Sequence, residues 1–174
     1  MSFRHVTLAL DLALTSPGFA VLAVTGEREP ILLETTSVTT TAKESHGYRL
    51  CQIGDEIKRL LETYKPEYIV RERGFSRHAR TTQAIFKVVG ISDFVTFYYD
   101  PSIDIQEVAA TTVKKTVAGK GNASKDEVAD AVFRILQIEN KDDFYTARGR
   151  LLDDKTDACA VGLTYLSEKG LIKV

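Results

Sequence analysis

Four carboxylates, spread across the chain, occupy positions where they could meet. Asp11 closes an apolar, strand-like run (His5-Val-Thr-Leu-Ala-Leu-Asp11), and Glu72 closes a second (Glu67-Tyr-Ile-Val-Arg-Glu72). Asp154 and Asp157 open the last helical stretch, which begins at Asp153. Acids at strand ends and on one helical turn can converge although they lie far apart in sequence. Gathered around one point they repel unless divalent cations sit between them. Two ions flanking a phosphodiester would activate water and stabilise the leaving oxygen. Each acid taken singly has a plainer role. Asp11 could be a turn residue, Glu72 a salt-bridge partner, and Asp154 and Asp157 caps that favour the helix dipole. A spacing of three puts Asp154 and Asp157 on one helical face, slightly better than the four from Asp153, so the choice between Asp153 and Asp154 stays open. It is the set, in this order, that points to chemistry.

Two basic segments lie between these acids. Arg71, Arg73, Arg77 and Arg80 surround a single Glu72, while Lys114, Lys115, Lys120 and Lys125 fall in a stretch with no acid. The formal charge is only −1, but a polyanion responds to local charge rather than to the total. Either segment could instead be a solvated face. Phe75 sits between Gly74 and Ser76, a polar setting in which an aromatic ring could stack on an unpaired base.

The elements that must position these residues can be read from the pattern. Residues 5–12, 17–24 and 30–38 read as strands, joined at Pro17-Gly18 and at 26–30, which predicts an antiparallel meander. From 44 to 64 the period is helical, with Tyr48, Leu50, Cys51, Ile53, Ile57, Leu60 and Leu61 on one broad face. A strand at 67–72, an apolar helix at 81–97 and a strand at 103–108 follow. Helices at 111–117 and 124–137 come next, the second opened by the capping box Ser124 to Glu127, and a last helix runs over 154–168. This order predicts an α/β fold, a five-stranded mixed sheet covered by helices on both faces, in one domain spanning 1–174.

Composition excludes several classes. At 174 residues, with 44% hydrophobic and 27% charged residues, the chain can bury a core without disulfides or structural metal. Cys51 and Cys159 lie in apolar helical contexts and read as small buried hydrophobes. His5, His46 and His78 are scattered and suggest no zinc site. No stretch is long and apolar enough to span a bilayer, and the first strand begins without a leader, so a cytoplasmic protein is expected. The run Gly119 to Lys125 is not a phosphate-binding loop, because it lacks the terminal Gly-Lys-Ser/Thr.

With these residues in place, the chain resembles the RuvC-like Holliday junction resolvases of the RNase H-like superfamily, nearly end to end. The most specific match is Val113-Lys-Lys-Thr-Val-Ala-Gly-Lys-Gly-Asn-Ala-Ser-Lys-Asp-Glu-Val128, which is similar to that family's basic segment ahead of its last acidic motif. The resemblance implies that Asp11, Glu72, Asp154 and Asp157 hold two Mg²⁺ ions per site, with Mn²⁺ able to substitute. It implies that Lys114 and Lys125 bind DNA, and that Phe75 contacts bases at a junction centre. It also implies nicks with 5′-phosphate and 3′-hydroxyl ends. The chain departs from the family at Leu12-Ala-Leu-Thr-Ser-Pro-Gly18, where only the later glycine of the first motif is kept, and at Arg73-Gly-Phe-Ser-Arg77. These departures suggest a divergent branch, such as a phage could carry.

The reading is therefore a Mg²⁺-dependent crossover junction endodeoxyribonuclease acting on four-way DNA as a homodimer, since two-fold cutting calls for a two-fold enzyme. The 81–97 helix is the candidate interface, and a branch-migration motor is a candidate partner; no membrane is involved. Lys115, Lys120, Arg71, Arg73, Arg77 and Arg80 join Lys114 and Lys125 as candidate phosphate contacts. The rivals are a relaxed flap or RNA–DNA hybrid nuclease, and a non-catalytic branched-DNA-binding protein.

Overall fold

The computed structural model describes residues 3–73 and 79–174, with backbone alone for 79–81. Three strands, β1 (Arg4–Asp11), β2 (Gly18–Val24) and β3 (Pro30–Ser37), form the antiparallel meander. Helix α1 (His46–Tyr64) leads into β4 (Tyr68–Glu72), which pairs parallel to β1. Helix α2 (Ala79–Tyr99) leads to β5 (Gln106–Val108), parallel to β4. Then come α3 (Ala110–Ala118), α4 (Lys125–Ile135), a short 3-10 turn (Asp142–Phe144) and α5 (Asp153–Glu168). The sheet order is β3-β2-β1-β4-β5. The expected five-stranded mixed sheet is the one found.

Strand alternation sends successive side chains to opposite faces, and each face carries its own core. Leu8, Leu10, Phe19, Val21 and Ile69 pack with Ile53, Ile57, Leu60 and Leu61 of α1. Ala9, Ala20, Leu22, Val70 and Val108 pack with α5 and, behind it, with α3 and α4. Every residue of α5 from Thr156 to Leu166 except Asp157 is buried, because the helix lies between the sheet and that second helical layer. Small residues let it approach. A Cβ on Gly162 would stand 2.4 Å from Leu22 Cδ1 and 3.0 Å from Ala9 Cβ. Truncating a filled position such as Leu8 or Leu163 to alanine would cost about 2–5 kcal/mol.

Local signals fix the helix ends. Ser45 accepts from the Tyr48 amide at 3.2 Å, and the chain leaves α1 through Lys65 at φ 47°. The capping box is present, with the Ser124 amide donating to Glu127 and the Glu127 amide to Ser124 Oγ.

Three expectations need correction. Tyr48 is 54% exposed and Cys51 is exposed as well, while Arg49 is buried. The inward stripe of α1 is 49-53-57-60, a helical repeat that an apolar-residue count misses because its first member is charged. The fifth strand is shorter than 103–108. Asp100 Oδ1 accepts from both the Ser102 amide (2.9 Å) and its hydroxyl (2.7 Å), holding that stretch in a turn, and the ladder starts only at Gln106. The apolar α2, read as a helix and as the candidate interface, is buried along one side only. Val88 is buried, but Phe86, Phe94, Phe97 and Tyr98 are 60–82% exposed.

Candidate active site

The register brings the acids together. Leu10 pairs with Arg71, so Asp11 and Glu72 lie side by side, one residue further along neighbouring parallel strands. Alternation puts Asp11 with Ala9, and Glu72 with Val70, on the face covered by α5. Helix α5 begins at the same sheet edge and supplies Asp154 and, one turn on, Asp157. Gly18, paired with Asp11 at the start of β2, touches the α5 backbone at Asp154.

These groups lie close enough to perturb one another's charge. Burial pushes the Asp11 carboxyl up to about 8, and Asp157, Glu72 and Asp154 push in the same direction while Lys125 opposes them. Glu72 is raised by burial and by Asp157, and Lys114 and Lys125 partly offset this. Asp157 is also raised, mainly by burial, with Lys125 and Lys114 pulling it back and Asp154 adding repulsion. Among the described residues no three acidic, histidine or cysteine side chains form a ready-made metal cage. The acids meet as an electrostatic cluster rather than as a closed coordination shell. A set of oxygen-only donors that resist joint ionisation suits hard divalent cations.

The two pairs of contacts at the start of α5 differ. Lys125 bridges Asp153 and Asp157, its Nζ 3.4 Å from Asp157 Oδ2. Asp154 instead accepts a 3.0 Å hydrogen bond from Ser16 Oγ, and it is Asp154 that adds repulsion at Asp11 and Asp157. Lys114 Nζ donates to the Ala123 carbonyl at 2.9 Å, which ties α3 to the loop before α4 beside the acids.

The other basic candidates separate sharply. Lys115 is exposed. Lys120 is exposed but paired with Glu127 at 2.5 Å. Arg73 is exposed, with Glu107 3.6 Å away. Arg71 departs from expectation. It points to the α2 side of the sheet, its side chain only 9% exposed, and each of its nitrogens donates within the protein. Nε and Nη2 reach Glu107 at 3.0 and 2.9 Å, and Nη1 reaches Ser92 at 3.1 Å and also Asp93. Four of its five N–H donors are spent within the protein, and its burial keeps the group away from a phosphate. Phe75 and Arg77 lie outside the described residues, as does the Arg80 side chain. Sequence reasoning missed Ser16, whose only signal is its place in the turn after the strand-end acid.

A family model for the crossover junction endodeoxyribonuclease RuvC matches residues 7–165. A relative of that description from Prochlorococcus marinus subsp. pastoris is 30% identical over 163 residues, covering 94% of this chain and 97% of its own. Another from Mycolicibacterium vanbaalenii is 31% identical over 135 residues, covering 77% of this chain and 69% of its own. Among solved structures, T. thermophilus RuvC in complex with a Holliday junction substrate superposes with a TM-score of 0.81 at 25% identity, over 98% of this chain and 99% of that one. The yeast mitochondrial Holliday junction resolvase Ydc2 shares the fold, with a TM-score of 0.72 at 13% identity over 98% of this chain and 82% of that one. The chain belongs to the RuvC family of crossover junction endodeoxyribonucleases.

Proposed function

We propose that this protein is a single RNase H-like nuclease domain, residues 1–174, that resolves four-way DNA junctions by paired, symmetrical phosphodiester hydrolysis. Asp11, Glu72, Asp154 and Asp157 hold two Mg²⁺ ions, for which Mn²⁺ can substitute. The observation that carries this reading is the convergence of Asp11 and Glu72, side by side at the ends of β1 and β4, with Asp154 and Asp157 from the first turns of α5, a grouping that raises the Asp11 carboxyl. Such a cluster is costly to ionise without a cation. Asp154 is preferred over Asp153 because it adds repulsion at Asp11 and Asp157.

Divalent cations, when bound, would lower the pKa of the attacking water and stabilise the leaving 3′ oxygen. The chain does the rest. The carboxylates would hold the ions at the sheet edge, and the half-buried Asp11 sits between the sheet and the start of α5. Lys114 and Lys125 sit close enough to the acids to lower their pKa values, and so close enough to meet phosphates of the same strand. Lys115, Lys120 and Arg73 are exposed phosphate contacts further out, with Phe75, Arg77 and Arg80 assigned to the junction centre by resemblance.

A homodimer is proposed through the outer face of α2, where Phe86, Phe94, Phe97 and Tyr98 recur at helical spacing. Among the described residues no helix is long and apolar enough to cross a membrane, and a cytoplasmic setting, in a host cell if the source is a phage, suits a DNA enzyme. A branch-migration motor remains the proposed partner.

The test is cleavage of a synthetic immobile four-way junction in Mg²⁺, beside duplex, flap and RNA–DNA hybrid controls, with Asp11→Asn as the blank. Paired symmetrical nicks with 5′-phosphate ends, absent in the mutant, are expected. Equal cutting of flaps would make it a relaxed branch nuclease, and tight junction binding without cleavage in Mg²⁺ or Mn²⁺ would leave a binding protein.

A further inference from the structure

The turn joining β1 to β2, residues 12–17, runs directly from Asp11 to the glycine that touches Asp154. It is pinned on its outer side with unusual thoroughness. Arg49 donates through Nη2 to Thr15 Oγ1 at 3.0 Å and to the Leu14 carbonyl at 3.3 Å, and through Nε to Thr40 Oγ1 at 2.8 Å. Thr40 Oγ1 itself donates to the Leu14 carbonyl at 2.6 Å. The Thr40 amide reaches the Thr15 carbonyl at 2.8 Å, and the Val38 amide reaches that of Pro17 at 3.2 Å.

Arg49 is only 5% exposed, and its hydrogen bonds run to hydroxyl and carbonyl oxygens. Among the described residues no carboxylate forms an ion pair with it, and segments 1–2 and 74–81 contain no Asp or Glu. Burying a guanidinium without a counter-anion is expensive. It is tolerated where a rigid fork of donors does something an aliphatic side chain could not, and here every mapped bond ends on the turn or on the loop that backs it.

On its inner side the same turn makes one bond to the acids, from Ser16 Oγ to Asp154 Oδ2 at 3.0 Å. We propose that Ser16 and Arg49 are positioning residues for metal binding. Arg49 clamps the turn, and Ser16, carried on it, fixes the Asp154 carboxylate so that its other oxygen faces the ion. This rests on the metal-site reading above. A ligand whose orientation is set before the ion arrives loses less freedom on binding, and removing such an outer partner typically weakens metal affinity 10–100-fold.

The experiment is calorimetric titration of the DNA-free, full-length protein with Mn²⁺. Ser16→Ala is expected to weaken Mn²⁺ affinity about tenfold, while its melting temperature in EDTA and its junction affinity in EDTA match wild type. Ser16→Thr, which keeps the hydroxyl, should recover the affinity. Arg49→Lys keeps the charge but not the fork, and should weaken Mn²⁺ in the same direction while remaining folded by circular dichroism. Wild-type Mn²⁺ affinity in Ser16→Ala would overturn the positioning role and leave the metal site standing. Absence of Mn²⁺ binding by the wild type would overturn the metal site itself, and the positioning role with it.

Discussion

Gly18 and the backbone of Asp154 are in such close contact that a Cβ on Gly18 would stand 1.9 Å from the Asp154 carbonyl oxygen. Gly18 is at the start of β2, paired with both Asp11 and Ser37, so this one contact locks the first turn of α5 to the strand that carries the first acid.

Gly18→Ala therefore has to move α5, because backbone cannot yield as the tip of a side chain can. A shift near 1 Å at Asp154 and Asp157 is expected to lower junction cleavage about 100-fold. The strain should cost about 1–3 kcal/mol in stability. Single-turnover cleavage together with urea unfolding would check both, and wild-type cleavage by a folded Gly18→Ala protein would contradict the contact.

The acids make the metal-free protein sensitive to pH in a definite direction. Asp11, Glu72 and Asp157 all have folded-state pKa values above their ordinary ones. Groups of this kind favour folding below the unfolded pKa near 4, and that contribution is lost as pH rises through the folded value, about 8 for Asp11. In EDTA, Asp11→Asn should therefore be more stable than wild type at pH 8, by roughly 5 °C in melting temperature. At pH 5 the difference should be smaller, because most of the window between the unfolded and folded values lies above that pH. Added Mg²⁺ should stabilise wild type more at pH 8 than at pH 5, because ionised ligands bind it and protons are released. Thermal melts at three pH values, with and without Mg²⁺, would settle this, and a pH-independent difference would contradict it.

Much of this was legible in the sequence, for identifiable reasons. The three-strand meander is marked by Pro17-Gly18 and the 26–30 turn, and α4 by its capping box, because those signals are local. The acids were legible because their order survives without knowing the contacts. Arg71 was misread because its partners, Asp93 and Glu107, lie 22 and 36 residues away and only the fold reveals them. Arg49 and Tyr48 exchanged roles because a helical stripe was judged by residue type, whereas phase put the arginine inside and the tyrosine out. Ser16 had no periodic signal, and its importance comes from a contact 138 residues away.

The burial of Arg71 separates it experimentally from the exposed basic residues. Arg71→Met should cost about 1–3 kcal/mol by breaking the link between β4, β5 and α2. It should leave the salt dependence of junction binding unchanged. Lys115→Ala should leave stability unchanged and reduce the slope of log affinity against log salt by about 1. Binding measured at several salt concentrations, beside denaturant melts, would distinguish the two, and a reduced slope for Arg71→Met would mean that it reaches a phosphate.

The outer face of α2 offers the last test. Phe94 and Tyr98 face each other, with ring centroids 5.8 Å apart and both well over half exposed, and Phe97 and Phe86 extend the strip along the helix. A group of exposed aromatic side chains of this kind is unfavourable in water and is ordinarily covered in a stable assembly. Val88, Ile91 and Val95 hold the opposite side of the helix against α1, so charges added to the outer face should leave the protomer folded. Phe97→Glu with Tyr98→Glu is expected to give a folded monomer by sedimentation, with the metal site unaltered. Because each protomer carries one set of acids, that monomer should bind Mn²⁺ normally but nick junction arms singly and without coordination. A double mutant that stays dimeric, or still cuts both strands in concert, would place the interface elsewhere on the protein.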